Sequence, residues 1–285
     1  MDVDVREVLG TLKRYDRHKP SLNLLANKDH KRMLFSGGCF FYSDDKGLYQ
    51  PLHGLLPVLK RNFWPDTNIY KLKRTTTKKT AAKRGTRREA GHSVPHTLPK
   101  NEYTKSHSKG RFFGSIQGSR IHNELEDFIM LDGKNFEKRH PSMHPWTKRI
   151  MLYITGQMRW YPLQCEFKIY NERLKVGTAI DMICVEPLSG RLVFLEFKTG
   201  YKDYFQSTDG YMKKCLATMP NSPLNWANIQ LTFAVIMLLR QNKGIALDDT
   251  SSYVIRIDDE NLEAYHLDNR FILMMNRCLL EDVVV

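Results

Sequence analysis

The chain has 285 residues, of which 41% are hydrophobic, so it can form one large globular domain with or without a smaller appendage. Lysine and arginine number 44 against 31 acidic residues, and the formal charge of +13 is typical of proteins that bind nucleic acid or an anionic membrane surface. The five cysteines are scattered without a C-x-x-C pair, which argues against a disulfide framework and against a zinc or iron–sulfur site.

Residues 1–65 mix helical and strand-like patterns with aromatic residues. They are predicted to form a small N-terminal subdomain, or an extension packed on the main domain, and no chemistry can be assigned to them. The first ten residues, MDVDVREVLG, are acidic and resemble neither a secretory signal nor an Arg-rich transit peptide. We therefore expect an intracellular location, in the nucleus rather than in mitochondria.

A basic and polar stretch occupies residues 66–110 and is predicted to be a flexible linker or arm. Its most basic part, KLKRTTTKKTAAKRGTRREA, buries too little apolar surface to fold alone. Two interpretations remain open: a solvated linker, or a nucleic-acid-binding arm or nuclear-import signal. The second assigns DNA contacts to Lys78, Lys79, Lys83, Arg84, Arg87 and Arg88.

Residues 111–285 are predicted to form a compact α/β domain whose central mixed β-sheet is flanked by helices. In order, the patterns indicate an amphipathic helix in SIQGSRIHNELEDFIML, a helix near PWTKRIMLYITGQM, a strand in WYPLQCEFKIY and a hairpin. A long apolar helix in NWANIQLTFAVIMLLRQN, a strand in SSYVIRID and a final helix follow. The longest apolar run, LTFAVIMLL, is far short of the roughly 20 residues that span a bilayer, so no membrane partner is expected.

The first helix of this domain carries the first candidate site residues. His122 and Glu126 are spaced i, i+4, so they share a face beside the apolar stripe. Glu124 is predicted to face solvent, and Arg120 to form an ordinary i, i+4 ion pair with it.

The hairpin, GTAIDMICVEPLSGRLVFLEFKTG at residues 177–200, places acids inside apolar runs. A two-residue turn at Leu188-Ser189 gives a register in which Asp181 faces Glu196, with Cβ atoms roughly 5 Å apart. Lys198 then projects from the same face as Glu196. The hairpin therefore brings two carboxylates and one ammonium group together.

Two facing carboxylates repel each other unless a cation lies between them. A cross-strand salt-bridge cluster, with Lys198 as the cation, is one interpretation. Because the apolar neighbours exclude solvent and one base leaves an acid unpaired, we favour a divalent metal, Mg²⁺ or Mn²⁺. Such an ion activates water for phosphodiester hydrolysis, and Lys198 can orient that water, take its proton or stabilise developing charge. The carbonyl of Phe197 and the imidazole of His122 are further candidate ligands.

These residues resemble the PD-(D/E)XK nuclease superfamily. The similarity is closest to its RecB-like and lambda-exonuclease-like branch, which includes the mitochondrial genome-maintenance exonucleases. GSRIHNELE resembles G-x-x-[IV]-H-x-x-x-E, CEFKIY places Glu166 on the strand before the hairpin, GTAID resembles G-x-x-x-D, and LEFKTG resembles the D/E-x-K-T motif. QLTFA retains Gln230 of a later Q-x-x-x-Y motif but has Ala234 in place of the tyrosine.

The resemblance implies a PD-(D/E)XK, or restriction-endonuclease-like, core and a metal-dependent DNA exonuclease that digests single strands from their ends. It implies Mg²⁺ or Mn²⁺ as cofactor and DNA with single strands or free ends as partner. Replication, repair, recombination and viral genome processing all fit, with replication or recombination proteins as further partners. The implied metal ligands are His122, Asp181, Glu196 and Phe197; the implied catalytic residues are Lys198, Glu196, Asp181, Glu126 and Glu166; and Gln230 contacts DNA.

Two alternatives remain open. One is an endonuclease, either selective for DNA structure or acting on RNA. The other is a nucleic-acid-binding protein whose nuclease fold is inactive, which the presence of Asp181, Glu196 and Lys198 disfavours.

Overall fold

The computed structural model of the protein describes residues 33–36, 39–43, 49–65, 117–129, 131, 133–171 and 174–282. In these ranges, no helix is both long enough and apolar enough to cross a membrane. The whole basic linker or arm, residues 66–110, lies outside the described residues, including the six residues assigned to DNA contacts: Lys78, Lys79, Lys83, Arg84, Arg87 and Arg88.

The strands of the described residues form one mixed sheet. They are β1 (Met33–Ser36), β2 (Cys39–Ser43), β3 (Tyr49–Gly54), β4 (Tyr161–Asn171), β5 (Val176–Val185), β6 (Leu192–Thr199), β7 (Thr250–Ile257) and β8 (Leu262–Leu267). The order across the sheet is β1-β2-β3-β5-β6-β7-β8, and β4 pairs with β5 outside this path. The β3–β5 and β6–β7 pairs are parallel and the others are antiparallel.

Helices cover both faces of this sheet. They are α1 (Leu55–Phe63), α2 (residues 117–129), α3 (Gly133–Arg139), α4 (Pro145–Leu152), α5 (Lys202–Gln206), α6 (Pro223–Gln241) and α7 (Asn269–Asp282). Helix α4 continues as a π-helical turn at Tyr153–Gln157. The predicted class, a mixed β-sheet flanked by helices, is therefore confirmed.

Strand β6 separates two apolar layers. Leu192 and Phe194 pack with α1, α6 and α7 in one layer, called here the α6 layer. Val193, Leu195 and Phe197 pack with α2, α3 and α4 in the other, the α2 layer. A strand with helices on both faces is buried on both sides, which explains why LVFLEF is apolar at every position except Glu196. Glu196 lies within this buried strand.

The described part of residues 1–65 belongs to the same sheet and core as the rest of the chain. Strand β3 pairs with the start of β5 through His53 and Gly54. Helix α1 buries its apolar face in the α6 layer through Leu55, Val58, Leu59 and Phe63. Residues that the sequence left without a role therefore lie beside the hairpin.

Helix α6 packs against the face of the sheet that bears Leu192 and Phe194, and it is apolar around most of its circumference. Pro223 occupies its first turn, where no N–H is needed, and the Ser222 hydroxyl accepts a hydrogen bond from the Asn225 N–H at 3.2 Å. A helix that is apolar on all sides is stable only when buried, and the residues from Leu231 to Leu238 are all buried. This helix places Gln230 close to the hairpin residues Asp181 and Glu196.

The predicted register of the β5–β6 hairpin is confirmed, but its predicted turn is wrong. Met182 faces Leu195 and Val185 faces Leu192, as the predicted register requires. The turn contains four residues rather than two, because the Glu186 N–H donates to the Arg191 carbonyl at 2.8 Å and so closes the loop around residues 187–190. The register is unchanged because the longer turn adds one residue on each side, and Gly190, at φ 72°, provides the left-handed conformation.

Candidate functional site

An open cleft of about 510 Å³ lies where β5 and β6 separate. Their ladder ends at Met182 and Leu195, so Asp181 and Glu196 lie one position beyond its last pair. The cleft is lined by residues of β3, α1, α2, β4, β5, β6 and α6: Leu52, Gly54, Leu55, Leu56, Pro57, His122, Glu166, Thr178, Ala179, Asp181, Glu196, Lys198 and Gln230.

The side chains of β4 cease to alternate regularly between the two faces of the sheet at Glu166. Glu166 has φ 47°, a left-handed conformation that is uncommon for a residue with a side chain. As a result, Cys165 lies in the α2 layer and Phe167 in the α6 layer, although residues two apart in a regular strand share a face. The β4–β5 pairing also skips Glu166 and Asp181, between the pairs Cys165–Met182 and Phe167–Ile180. This irregularity directs two acids toward one point.

Three side chains meet at that point. The Nδ1 atom of His122 lies 2.8 Å from Oε1 of Glu166 and 3.6 Å from Oδ1 of Asp181. One ligand atom from each of these residues lies within 4.8 Å of the other two. An imidazole nitrogen and two carboxylates at this spacing are able to share one metal ion.

The second oxygen of Asp181 is fixed by β6. The backbone N–H of Phe197 donates to Oδ2 of Asp181 at 2.7 Å, and the Phe197 ring meets the His122 ring edge to face, with 6.2 Å between ring centroids. Phe197 therefore helps to orient both Asp181 and His122.

The carboxylate of Glu196 is buried and forms an ion pair with Lys198, whose side chain is 33% exposed. Burial and, second, the charge of Asp181 raise the pKa of Glu196 to about 7. Burial would lower the pKa of Lys198, but the negative charges of Glu196 and Asp181 outweigh it and raise that pKa. Lys198 is therefore a charged group that can be reached from the cleft.

His122 is held in its charged form. The charge of Asp181 raises the pKa of His122 to about 9 in spite of burial, with a further contribution from the hydrogen bond to Glu166. Burial raises the pKa of Asp181, although His122 and Lys198 oppose the shift. Three carboxylates thus share two cationic side chains, and the negative charge of neighbouring acids adds to burial, the main cause of the raised pKa values of Asp181 and Glu196.

The glycine of the first motif allows α2 to approach β6. A Cβ atom built on Gly118 would lie 3.3 Å from the hydroxyl oxygen of Thr199, the residue after Lys198. A side chain at position 118 would therefore require Thr199 or α2 to shift by a few tenths of an ångström.

Three other residues were predicted to belong to the site: Gln230, Glu126 and Glu196. Gln230 lines the cleft, in agreement with its predicted place near the site. Glu126 lies one turn beyond His122 and is exposed; partial burial and the charge of Glu166 raise its pKa. Glu196 is in the cleft but outside the three-residue cluster, in which Glu166 takes the place that the sequence assigned to Glu196.

The prediction that Glu124 faces solvent is wrong, whereas its ion pair with Arg120 is confirmed at 2.8 Å. Glu124 is only 1% exposed. It accepts hydrogen bonds from the His144 N–H at 2.9 Å and from the Thr147 hydroxyl at 2.5 Å. The carboxylate thus caps the start of α4, which packs against α2, and this long-range contact has no signal in the spacing of α2.

Sequence reasoning missed one wall of the cleft. Leu52, Gly54, Leu55, Leu56 and Pro57, from the β3–α1 connection, face the charged residues across the opening. Apolar residues carry no chemical signature by themselves. Their place follows only from the pairing of β3 with β5.

No protein-family model matches the sequence, and no curated protein matches it either. The geometry of the cleft is therefore the basis for assigning a function.

Proposed function

We propose that the protein is a metal-dependent nuclease with a PD-(D/E)XK core that hydrolyses DNA from the ends of single strands. The observation that carries the proposal is the meeting of His122, Glu166 and Asp181 beside the charged Lys198 in an open cleft. The three elements that bear these residues, α2, β4 and the hairpin, are those on which the resemblance to this superfamily rests.

The donor set fits Mg²⁺ or Mn²⁺. Two carboxylates supply the hard oxygen ligands that both ions prefer, and a single imidazole is compatible with Mn²⁺ in particular. Such an ion, when bound, supplies a Lewis acid that polarises a phosphodiester and lowers the pKa of water. We assign His122, Glu166 and Asp181 to holding it, with Glu196 at the side of the cleft.

A salt-bridge cluster alone accounts less well for the arrangement. Lys198 pairs with Glu196, and His122 pairs with Glu166, which leaves buried Asp181 to share both cations. A buried acid that shares its cations with two other carboxylates lowers stability, and ionisable groups with such shifted pKa values are concentrated at functional sites. The raised pKa values of Asp181 and Glu196 support a place for one more cation.

The remaining side chains fit phosphodiester hydrolysis. Because the pKa of Lys198 is raised, we assign this residue to orienting the attacking water and stabilising charge on the phosphate, and not to taking a proton. Glu196 holds Lys198 in place. Gln230, with its amide at the cleft wall, is placed to contact the DNA strand.

The test is digestion of an end-labelled linear single strand and a closed single-stranded circle, each with Mg²⁺, Mn²⁺ or EDTA, alongside the matching RNA. Wild type is compared with Lys198→Ala and with Lys243→Ala, an exposed lysine after α6. We expect metal-dependent loss of linear DNA only, abolished by Lys198→Ala and unchanged by Lys243→Ala. Cutting of the circle would favour an endonuclease, cutting of the RNA would favour RNA as substrate, and binding without cleavage would favour an inactive binding protein.

A further inference from the structure

Three tyrosines in the segment after β6 expose large aromatic surfaces. Tyr201, Tyr204 and Tyr211 are 68%, 41% and 63% exposed, and no other tyrosine, phenylalanine or tryptophan is exposed among the residues whose side chains the structure describes. An isolated exposed apolar residue needs no explanation, but three within residues 201–211 form a concentration of aromatic surface. Tyr201 is the residue before α5 and Tyr204 lies within that short helix, so the two are close along the backbone.

Buried residues and backbone hydrogen bonds attach this segment to the core, so the backbone that carries the exposed rings is ordered. Phe205, Met212 and Leu216 are buried in the α6 layer. The backbone is tied by hydrogen bonds from Asp209 N–H to the Asn221 carbonyl at 3.0 Å and from Met212 N–H to the Met219 carbonyl at 3.0 Å. Ordered aromatic residues that point outward cost little conformational entropy when a ligand binds them.

The segment begins at the site and ends at the far end of α1, the helix whose first residues line the cleft. Tyr201 is three residues after Lys198, and Arg256 fixes the preceding residue by donating to the Gly200 carbonyl at 2.8 Å. At the other end, the Lys213 N–H donates to the Phe63 carbonyl at 2.8 Å, at the C-terminal end of α1. The N-terminal residues of α1 line the cleft. A strand bound at the Tyr201 end of the segment therefore lies close to Lys198.

The local charge suits a polyanion. Helix α1 and residues 200–220 together carry five basic residues, Lys60, Arg61, Lys202, Lys213 and Lys214, against two acids, Asp203 and Asp209. Lys202 forms an ion pair with Glu263 at 2.9 Å, so the other four basic residues supply the excess charge. Lys60, Arg61 and Lys214 are exposed. Aromatic rings interleaved with bases are the usual surface for single-stranded nucleic acid, because rings stack on the bases and cations hold the phosphates.

We propose that Tyr201, Tyr204 and Tyr211 form a base-stacking surface that binds single-stranded DNA and leads it to the cleft. The faces of duplex bases are covered by neighbouring pairs, so the surface selects unpaired strands. The proposal deepens the proposed function and rests on it for the choice of DNA as partner. Binding itself needs neither metal nor cleavage.

The experiment measures binding of a fluorescein-labelled oligothymidylate of about 20 nucleotides by anisotropy, in EDTA so that no cleavage occurs. The 285-residue chain is compared with a triple variant, Tyr201→Ala, Tyr204→Ala and Tyr211→Ala, and with the corresponding triple phenylalanine variant. Leu188→Ala, at a 97% exposed position in the hairpin turn, is the matched surface control. Thermal melting establishes that each variant is folded.

We expect the alanine variant to bind the single strand at least about 10-fold more weakly, since each stacked base contributes about a 5- to 100-fold factor. The phenylalanine variant and Leu188→Ala should bind within about twofold of wild type, because phenylalanine keeps the ring. A blunt hairpin duplex should show no comparable loss. Equal losses for duplex and single strand, or wild-type binding by the alanine variant, would overturn the proposal. Wild-type cleavage with metal tests the proposed function separately.

Discussion

The backbone N–H of Phe197 donates a hydrogen bond to Oδ2 of Asp181, with 2.7 Å between nitrogen and oxygen. This bond joins β6 to β5 beyond the last pair of their ladder, since Asp181 is one residue past Met182 and Phe197 two residues past Leu195. It fixes one carboxylate oxygen, so that the other lies 3.6 Å from Nδ1 of His122. The E-x-K triplet of β6 therefore orients the acid of the neighbouring strand in addition to contributing its own charges.

The three-residue cluster predicts which acids hold metal. Glu166→Gln and Asp181→Asn should each weaken Mn²⁺ binding by about 10- to 100-fold, because each removes one of the clustered ligands. Glu196→Gln should weaken binding less, since its carboxylate pairs with Lys198. Isothermal titration or Mn²⁺ electron paramagnetic resonance measures the affinities without DNA. A large loss in Glu196→Gln together with none in Glu166→Gln would contradict this assignment.

Metal binding should depend on pH through His122. The charge of Asp181 first, against burial, raises the pKa of His122 to about 9, so at neutral pH a proton occupies the ring nitrogen that faces the cluster. Metal must displace that proton, so affinity should rise up to about tenfold per pH unit toward pH 9. Titrations between pH 6.5 and 9 in buffers of different ionisation enthalpy measure both affinity and proton release. Affinity that is constant over this range would exclude His122 as a ligand.

Glu196→Gln should stabilise the metal-free protein. Burial raises the pKa of Glu196 to about 7, above an ordinary value of about 4.3, so the unfolded chain loses this proton first as pH rises. The acid therefore lowers the stability of the fold progressively between these two pH values, and fully above pH 7. In EDTA at pH 8 the variant should melt a few degrees higher, a gain of about 1–3 kcal/mol, and at pH 4 the difference should vanish. Glu260→Gln, at an exposed position, is the control; a lower melting temperature of Glu196→Gln at pH 8 would contradict the prediction.

Glu124→Ala should destabilise the fold. The substitution removes a buried acceptor from Arg120, from the His144 N–H and from the Thr147 hydroxyl. Loss of these charge-assisted hydrogen bonds costs about 2–4 kcal/mol, which lowers the melting temperature by about 5–10 °C. Glu126→Ala, two residues along the same helix and exposed, should melt close to wild type. Equal melting temperatures of the two variants would show that the cap at α4 contributes nothing.

The hairpin and its register followed from the sequence because alternation, turn residues and charge all indicate the same pairing. Asp181, Glu196 and Lys198 consequently occupy one cleft, as expected from the strand period. The length of the turn did not follow, since turns that add one residue on each side preserve the same register.

The part that Glu166 plays could not be predicted from the pattern of β4. In a regular strand Cys165 and Phe167 share a face, and only the left-handed conformation of Glu166 separates them. Local propensity disfavours that conformation in a residue with a side chain, so it reflects tertiary constraints. The apolar wall from β3 and α1 could not be predicted for a related reason, because its position depends on a parallel pairing between strands far apart in sequence.

The most direct measurement is the initial rate of hydrolysis of an end-labelled linear single strand as Mn²⁺ is titrated into metal-free protein, for wild type and Asp181→Asn. The account predicts no hydrolysis in EDTA, a saturable rise with Mn²⁺ in wild type, and a rate at least about 100-fold lower in Asp181→Asn. Hydrolysis that persists in EDTA, or an Asp181→Asn rate equal to wild type at every Mn²⁺ concentration, would contradict a metal-dependent nuclease site at the hairpin.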